Sequence, residues 1–433
     1  MALMARSRLL IAFVVSLSEF LSLLPVQSRS FTSLPDLCGD VDTSAWTSLN
    51  HAARGYHVLC FTSEQGSGVC TTKDGSEDCQ VASEGDYSII ACWDGLRTAC
   101  ESFSMTRTDT LMAVEENLLT RVGLKNEWRY NNIKRLKEKK SKWSGLFGFF
   151  QVSRNGEAPQ RLSSKDGMPE LSGLILAFEG GSFVWPGIEL GYERNVTIRP
   201  KGPHDTPIDL TYITMSLRPL VLEVSSFLGD AECLHVIRMA EPHIARSSVS
   251  HMDHDVGKPA TDWRTSSTHF MPAGSDKILR ELDRRVAALT VTRPVNQEYG
   301  QVLLYNVGER YAAHTDYFDP AMYKSSEQVQ SMTKKGLFNR LATVFFYLTT
   351  VEEGGHTNFP RAGGAPQPKN FESCDGGVSV APQKGRIIIF YSQSPAAELD
   401  PLSLHGGCAV KKGVKWSVNK WIWNKPMDYV RGE

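Results

Sequence analysis

The chain has little surplus of charge of either sign. Across 433 residues Lys and Arg nearly balance Asp and Glu, leaving a formal net charge of −1. Without a basic excess there is no electrostatic footprint for a phosphate backbone, so no nucleic-acid partner is expected. Long apolar runs are scarce too. Leu9 to Leu17 is the main one, too short to span a bilayer comfortably, and no later stretch looks transmembrane. The nine cysteines include no Cys-x-x-Cys spacing, which argues against a zinc site. The C-terminal VRGE is not a KDEL-type retention sequence. What is present is ordinary for a globular protein, 41% apolar and 22% charged residues. The length suggests roughly two or three domains.

The first segment, 1–28, reads as a targeting signal. Arg6 and Arg8 precede the apolar run, and Val26-Gln27-Ser28 offers small residues for cleavage near Ser28. The alternative is an uncleaved anchor from Leu9 to Val26, the one case in which a membrane would be a partner. Residues 29–105 are rich in cysteine: Cys38, Cys60, Cys70, Cys79, Cys92 and Cys100. In an oxidising lumen this even cluster implies a disulfide framework on which the segment's stability would depend, with connectivity left open by the sequence. Asn195-Val196-Thr197 is a glycosylation sequon. These features place the chain in the secretory pathway, in the endoplasmic reticulum or Golgi lumen. Residues 106–214 carry no recognisable chemistry. The stretch 107–143 looks helical and ends in a basic run, Lys134 to Lys140, which is either a docking patch for an acidic partner or a solvated helix face. Short strands separated by Gly and Pro are expected over 144–200.

From 215 to 425 the texture is α+β. Asp230 is placed to cap a helix through Ala240, and Ser275 to cap another in which Ile278, Leu279, Leu282, Val286 and Leu289 share one face. Strand-like runs follow at Gln301–Tyr305, Ala342–Leu348, Arg386–Tyr391 and Trp416–Trp423, divided by Gly or Pro clusters. Two helices followed by many strands suggest a sheet closed into a double-stranded β-helix, a jelly roll of the cupin type with a cavity at its mouth.

The chemistry-bearing stretch is Tyr305 to Pro320, YNVGERYAAHTDYFDP. In an extended segment His314 and Asp316 point to the same side. With His405, from SLHGGCAVKKGVKW, they form a candidate two-His-one-carboxylate facial triad, which leaves positions open on Fe(II) for oxygen chemistry. Lys415 offers a cation for the far carboxylate of a 2-oxo dicarboxylate, with hydroxyl help from Tyr305 and Thr357. The opposing reading of Lys415 is a surface lysine on an edge strand. A second His-x-Asp, at His251 and Asp253 with His254 and Asp255 beside it, lies in a polar run containing Gly257 and Pro259 and reads as a loop.

The stretches FLGDAECLHVI, DWRTSS, QVLLYNVGERYAAHTD, RLATVFFYLTTVEEGGHTNFP, PQKGRIIIFY and DPLSLHGGCAVKKGVKWSVNKWIW keep their order and spacing over nearly half the chain. This half resembles the catalytic domain of prolyl 4-hydroxylases, the plant and algal secretory type in particular. The resemblance implies a 2-oxoglutarate- and Fe(II)-dependent dioxygenase that hydroxylates peptidyl proline with O2 and is supported by L-ascorbate. It places His314, Asp316 and His405 at the iron-ligand positions and Lys415 at the 2-oxoglutarate residue, with Tyr305 and Thr357 beside it. It places Tyr311, Arg340 and Trp421 at the pocket for a proline-containing peptide or protein. It also implies a pairing of Cys374 with Cys408. Two departures stand out: His356 replaces a usual acidic residue, and the run from Ala321 to Leu337 lengthens a loop that would act as a lid. The rival readings are an oxygenase for another peptidyl residue or small molecule, and a secreted binding protein with a non-catalytic barrel.

Overall fold

The computed structural model describes residues 43–48, 51–63, 69–73, 76–80, 87–106, 108–122, 131, 146–153, 155–163, 165–169, 173–202, 206–249, 251–274 and 276–427. The targeting signal, Cys38, the basic run 134–140 and Ser275 lie outside the described residues.

Alternating apolar side chains and β-branched runs build three principal sheets. The main sheet has nine strands, in the order Ala245–Arg246, Ser267–Met271, Gly300–Tyr305, Lys415–Trp423, Arg340–Tyr347, Ile387–Tyr391, Leu220–Val224, Ile208–Leu217 and Glu193–Ile198. Every neighbouring pair is antiparallel. A smaller antiparallel sheet of four strands runs Tyr311–His314, His405–Gly407, Thr357–Phe359 and Val378–Val380. These mostly antiparallel sheets are in keeping with a jelly roll. The main sheet takes in strands from Glu193 onward, so it reaches ahead of residue 215.

The centre of the main sheet is buried on both faces, which explains why Ile387-Ile388-Ile389-Phe390 is apolar without alternation. One face carries Val302, Val344, Ile389 and Val418 into the largest core; the other carries Leu303, Phe345, Tyr347 and Phe390 toward the smaller sheet. Helices Asp230–Ala240 and Lys277–Leu289 cover the first face, burying Val236, Leu279, Leu282 and Val286. Their caps differ from expectation. Gly229, not Asp230, stands at the first cap, because the Glu232 carboxylate folds back to accept the Gly229 N–H at 2.8 Å. Asp230 then lies inside the first turn, where it meets Lys384 at 2.8 Å. The second helix is capped by Asp276, which accepts the Leu279 N–H at 2.9 Å.

The N-terminal region folds as a six-stranded antiparallel sheet ordered Cys100–Met105, Tyr87–Cys92, Tyr56–Ser63, Gly173–Phe178, Gly148–Gln151 and Gln160–Leu162. Its expected dependence on cross-links is only part of its stability, because Val58, Phe61, Ile89, Phe149 and Ile175 form apolar core. Cys92 pairs with Cys100 across a strand pair, and Cys60 is disulfide-bonded. The helix expected after residue 107 runs Leu111–Val122. Within 144–200, where short strands are expected, residues 182–190 form none. There Trp185 instead bridges the halves: its Nε1–H donates to Leu289 O at 2.8 Å, and Tyr391 Oη accepts its backbone N–H at 3.1 Å.

Tyr56, Phe150, Trp185, Leu222 and Val286 belong to one core that joins the N-terminal sheet to the main sheet and its helices. Trp185→Ala should therefore cost about 3–5 kcal/mol, and heat should unfold both sheets in one cooperative transition. Two separated calorimetric transitions would contradict a shared core.

Candidate active site

The smaller sheet positions the two imidazoles. Tyr311–His314 and His405–Gly407 pair antiparallel with His314 directly opposite His405, bringing the ring centroids within 4.6 Å. Each ring is held by the same local device. Nδ1 of His314 lies 2.9 Å from Ala312 O, and Nδ1 of His405 lies 2.9 Å from Ser403 O. A carbonyl only accepts, so each Nδ1 carries the proton and each Nε2 keeps its lone pair. Two residues past His314, Asp316 turns in to meet both: its oxygens lie 3.6 Å from His314 Nε2 and 3.5 Å from His405 Nε2. These distances are too long for hydrogen bonds. Three electron-rich atoms, all within 4.8 Å of one another, therefore converge with no proton between them, the donor set that fits a divalent cation such as Fe(II).

The electrostatics suit that task. Burial pushes the Asp316 carboxyl up, but His405, then His314 and Arg340, outweigh it and hold it well below the usual carboxylate range. Burial pushes the His405 imidazole down to about 4, against the pull of Asp316. At neutral pH the carboxylate is charged and the His405 ring neutral. Thr343 donates its hydroxyl to Asp316 Oδ2 at 2.6 Å, fixing the carboxylate plane. Phe359 and Phe390 wall the His405 ring at 5.8 and 4.4 Å.

Lys415 is 1% exposed on a central strand, directly opposite Tyr305, which rules out the edge-strand surface reading. Its Nζ lies 5.3, 5.2 and 5.7 Å from the rings of Tyr305, Phe345 and Tyr347. Among the described residues it has no carboxylate partner within salt-bridge distance, and burial pushes its ammonium down to about 7. A buried cation ringed by aromatics and lacking an anion fits the carboxylate of a co-substrate. Thr357 is buried too, and its Oγ1 accepts from the hydroxyl of Tyr347, one of the rings around that ammonium, at 2.8 Å. Tyr305 is also buried, its hydroxyl engaged with Ser266 and Arg264.

The three proposed pocket residues are brought to the same side. Tyr311 stacks on His314 with centroids 3.7 Å apart, and burial pushes its phenol up to about 12. Arg340 lies 3.7 Å over the Trp421 ring. Its guanidinium is more committed within the chain than the sequence suggests: Nε and one Nη grip Glu298 at 2.6 and 2.9 Å, and the other Nη donates to Asp316 O at 3.1 Å. The Trp421 indole N–H is buried and unpartnered among the described residues, as is one Nη of Arg264, whose guanidinium lies 4.6 Å over Tyr311. Two orphaned donors, one beside Tyr311 and one beneath Arg340, suit a ligand rich in backbone carbonyls.

Glu298, Arg264, Thr343 and Tyr347 carried no individual signal in the sequence. Arg264 lies in DWRTSS, one of the stretches that carry the resemblance, and only the structure sets it beside Tyr311. His356 is half-buried and outside the metal group, with its carbonyl accepting Cys408 N–H at 2.9 Å. Cys374 and Cys408 are disulfide-bonded. Among the described residues the other His-x-Asp joins no metal group: Asp253 accepts from Ser325 N at 3.1 Å, and His251 meets the Trp263 ring edge-on. Of the run expected to be a free lid, Tyr323, Val329 and Leu337 are buried, because they join the core beneath the N-terminal sheet.

The model of the 2OG-Fe(II) oxygenase superfamily matches residues 300–423. The chain is similar to probable prolyl 4-hydroxylase 10 of Arabidopsis thaliana, 39% identical over 233 residues, which covers 52% of this chain and 76% of that protein. It is also similar to prolyl 4-hydroxylase 5 of the same plant, 36% identical over 214 residues, covering 48% and 69% respectively. Among solved structures, a viral collagen prolyl hydroxylase from Paramecium Bursaria Chlorella virus-1 aligns at 24% identity and a TM-score of 0.33, over 47% of this chain and 95% of that one.

His405→Ala should abolish metal retention after anaerobic loading with Fe(II), whereas Lys415→Ala should keep the metal and weaken 2-oxoglutarate binding by about 1.5–3 kcal/mol. An unchanged co-substrate Kd in Lys415→Ala would contradict the anchoring role. Protonated Lys415 is the form that attracts a carboxylate, and its proton is lost as pH rises through about 7 when no co-substrate is bound. The Kd for 2-oxoglutarate should thus be flat below that pH and climb above it, by up to about tenfold per unit. A Kd that does not change between neutral and alkaline pH would refute this.

Proposed function

The chain belongs to the prolyl 4-hydroxylase family, and on that premise we infer that its site hydroxylates peptidyl proline at C4. It is a 2-oxoglutarate-dependent dioxygenase that uses Fe(II), 2-oxoglutarate and O2 and releases succinate and CO2. L-Ascorbate is typical of the family. The observation that carries this reading is the convergence of His314, Asp316 and His405 in a fold that also buries Lys415 with no anionic partner among the described residues.

The residues divide the work as follows. His314, Asp316 and His405 would hold the iron. When bound there, the metal supplies oxygen activation coupled to decarboxylation of the co-substrate. Lys415 would grip the far carboxylate of 2-oxoglutarate, with Thr357 and Tyr305 adding hydroxyls. Tyr311 and Trp421 would pack on the pyrrolidine ring, while Arg340 orients Trp421 and turns its free N–H groups to the peptide. The orphaned donors of Arg264 and Trp421 would take backbone carbonyls. Buried aromatic walls exclude water, which favours hydroxylation of the bound residue over side reactions.

The catalytic unit is read as residues 215–425, a double-stranded β-helix with supporting helices, preceded by the cysteine-rich segment 29–105 and by 106–214. We place it in the endoplasmic reticulum or Golgi lumen, after removal of 1–28 or with that segment as an anchor. Among the described residues no helix is long and apolar enough to cross a membrane. The Cys92–Cys100 and Cys374–Cys408 bridges support an oxidising compartment. Asn195 is exposed on the terminal strand of the main sheet, where a glycan could project into solvent.

Purified protein supplied with Fe(II), ascorbate and 2-oxoglutarate should convert proline-rich peptides to products heavier by one oxygen, with the added oxygen located on proline by fragmentation. Addition to another residue, or none on any proline peptide, would overturn the substrate assignment. Protein expressed in a eukaryotic secretory host should lose mass on glycan removal, and Asn195→Gln should not.

A further inference from the structure

The N-terminal sheet lies outside the stretch matched by the superfamily model, yet one of its faces shares a core with the surroundings of the site. Phe61 and Ile89 from that face and Leu118 from the neighbouring helix are buried in one cluster with Tyr323, Val329 and Phe338. The last three lie in the segment 318–338, which begins two residues after Asp316 and ends two before Arg340. Both ends of the segment are tied together by one buried side chain. Asn339 accepts the Phe318 N–H on Oδ1 at 2.9 Å and donates Nδ2 to Phe318 O at 2.6 Å. Asn424 completes the clasp, accepting the Asn339 N–H and donating to Leu337 O, both at 3.1 Å. Arg340 lies 4.9 Å over the Phe318 ring and reaches back to Asp316 O.

We propose that the N-terminal sheet is a positioning module for the acceptor peptide. By seating segment 318–338 it holds the asparagine clasp, and through the clasp Arg340 and the pocket walls, in binding geometry before the peptide arrives. A segment of this length left unseated would sample many backbone states, and peptide affinity would fall in proportion to the seated fraction. Packing it against a folded sheet removes that ordering cost in advance. The inference rests on the proline-peptide reading of the site and extends it to the half of the chain that the family resemblance does not reach.

Val329 sits in this contact and in no part of the catalytic or binding machinery. Val329→Asp should speed hydrogen exchange across 318–338 while leaving the Ile387–Tyr391 strand protected. If the segment is then seated about a tenth of the time, KM for a proline peptide rises about tenfold. The KM for 2-oxoglutarate and the peptide-free decarboxylation rate should stay at the wild-type level. Val329→Ala, which tolerates failure of the harsher variant to fold, should move peptide KM the same way by less, and Val329→Ile should restore it. The proposal is overturned if the segment exchanges freely while peptide KM is unchanged, if exchange does not change, or if both KM values rise together. A wild-type protein inactive on every proline peptide would instead sink the functional reading, and the exchange measurement would still decide whether the sheet seats the segment.

Discussion

The register of one short strand pair governs the site. His314 and His405 reach a common point because they stand directly opposite each other in an antiparallel pair. A slip of one residue in either strand would turn one imidazole to the other face of the sheet. The same backbone that sets the register also sets the chemistry, since the carbonyls of Ala312 and Ser403, each two residues ahead of its histidine, fix which nitrogen bears the proton. Asp316 falls into place two residues along, steadied by Thr343 from the main sheet. The metal group is thus made where the two sheets face each other.

Around that point charges and donors stand without partners among the described residues. Three lone-pair-bearing atoms converge at one place, a buried ammonium sits among aromatic rings at another, and the Trp421 indole and an Arg264 nitrogen stand orphaned. Each is destabilising in a folded chain taken alone. Their signs are complementary to a cation, a carboxylate and a peptide backbone respectively. A site that is unsatisfied by its own protein is satisfied by its ligands, the usual exchange of stability for function. Arg340 is the contrasting case. Its bidentate grip on Glu298 commits most of it to holding Trp421 in place.

The two halves of the chain are not beads on a string. Trp185 hydrogen-bonds the end of a catalytic-half helix, and both faces of the N-terminal sheet are covered by core that includes residues from beyond 215. Burial against a second sheet also explains why a polar-looking run rich in Lys, Ser and Gln is held down. Its few apolar residues, Tyr323, Val329 and Leu337, all find the same interior. Composition counted the polar majority, whereas packing followed the apolar minority.

Much of the catalytic half was legible in the sequence because its signals are local. Alternation and β-branching marked the strands, helical spacing marked Leu279, Leu282 and Val286 as one buried face, and the two-residue step from His314 to Asp316 announced a shared direction. The helix caps were not legible to the residue, since Glu232 folds back to Gly229 by a side-chain choice that propensity does not contain. Glu298, Thr343, Arg264 and Asn339 were invisible for a different reason. Their partners lie tens of residues away and meet them only after the strands have taken their registers. The sequence by itself determined which residue types could hold iron and a dicarboxylate, because ligand chemistry is a property of side chains. That Lys415 is buried with no anion beside it among the described residues, and that the N-terminal sheet shares a core with the site's flank, came from the folded arrangement alone. Those are facts about what surrounds a residue, and surroundings come from contacts between distant parts of the chain.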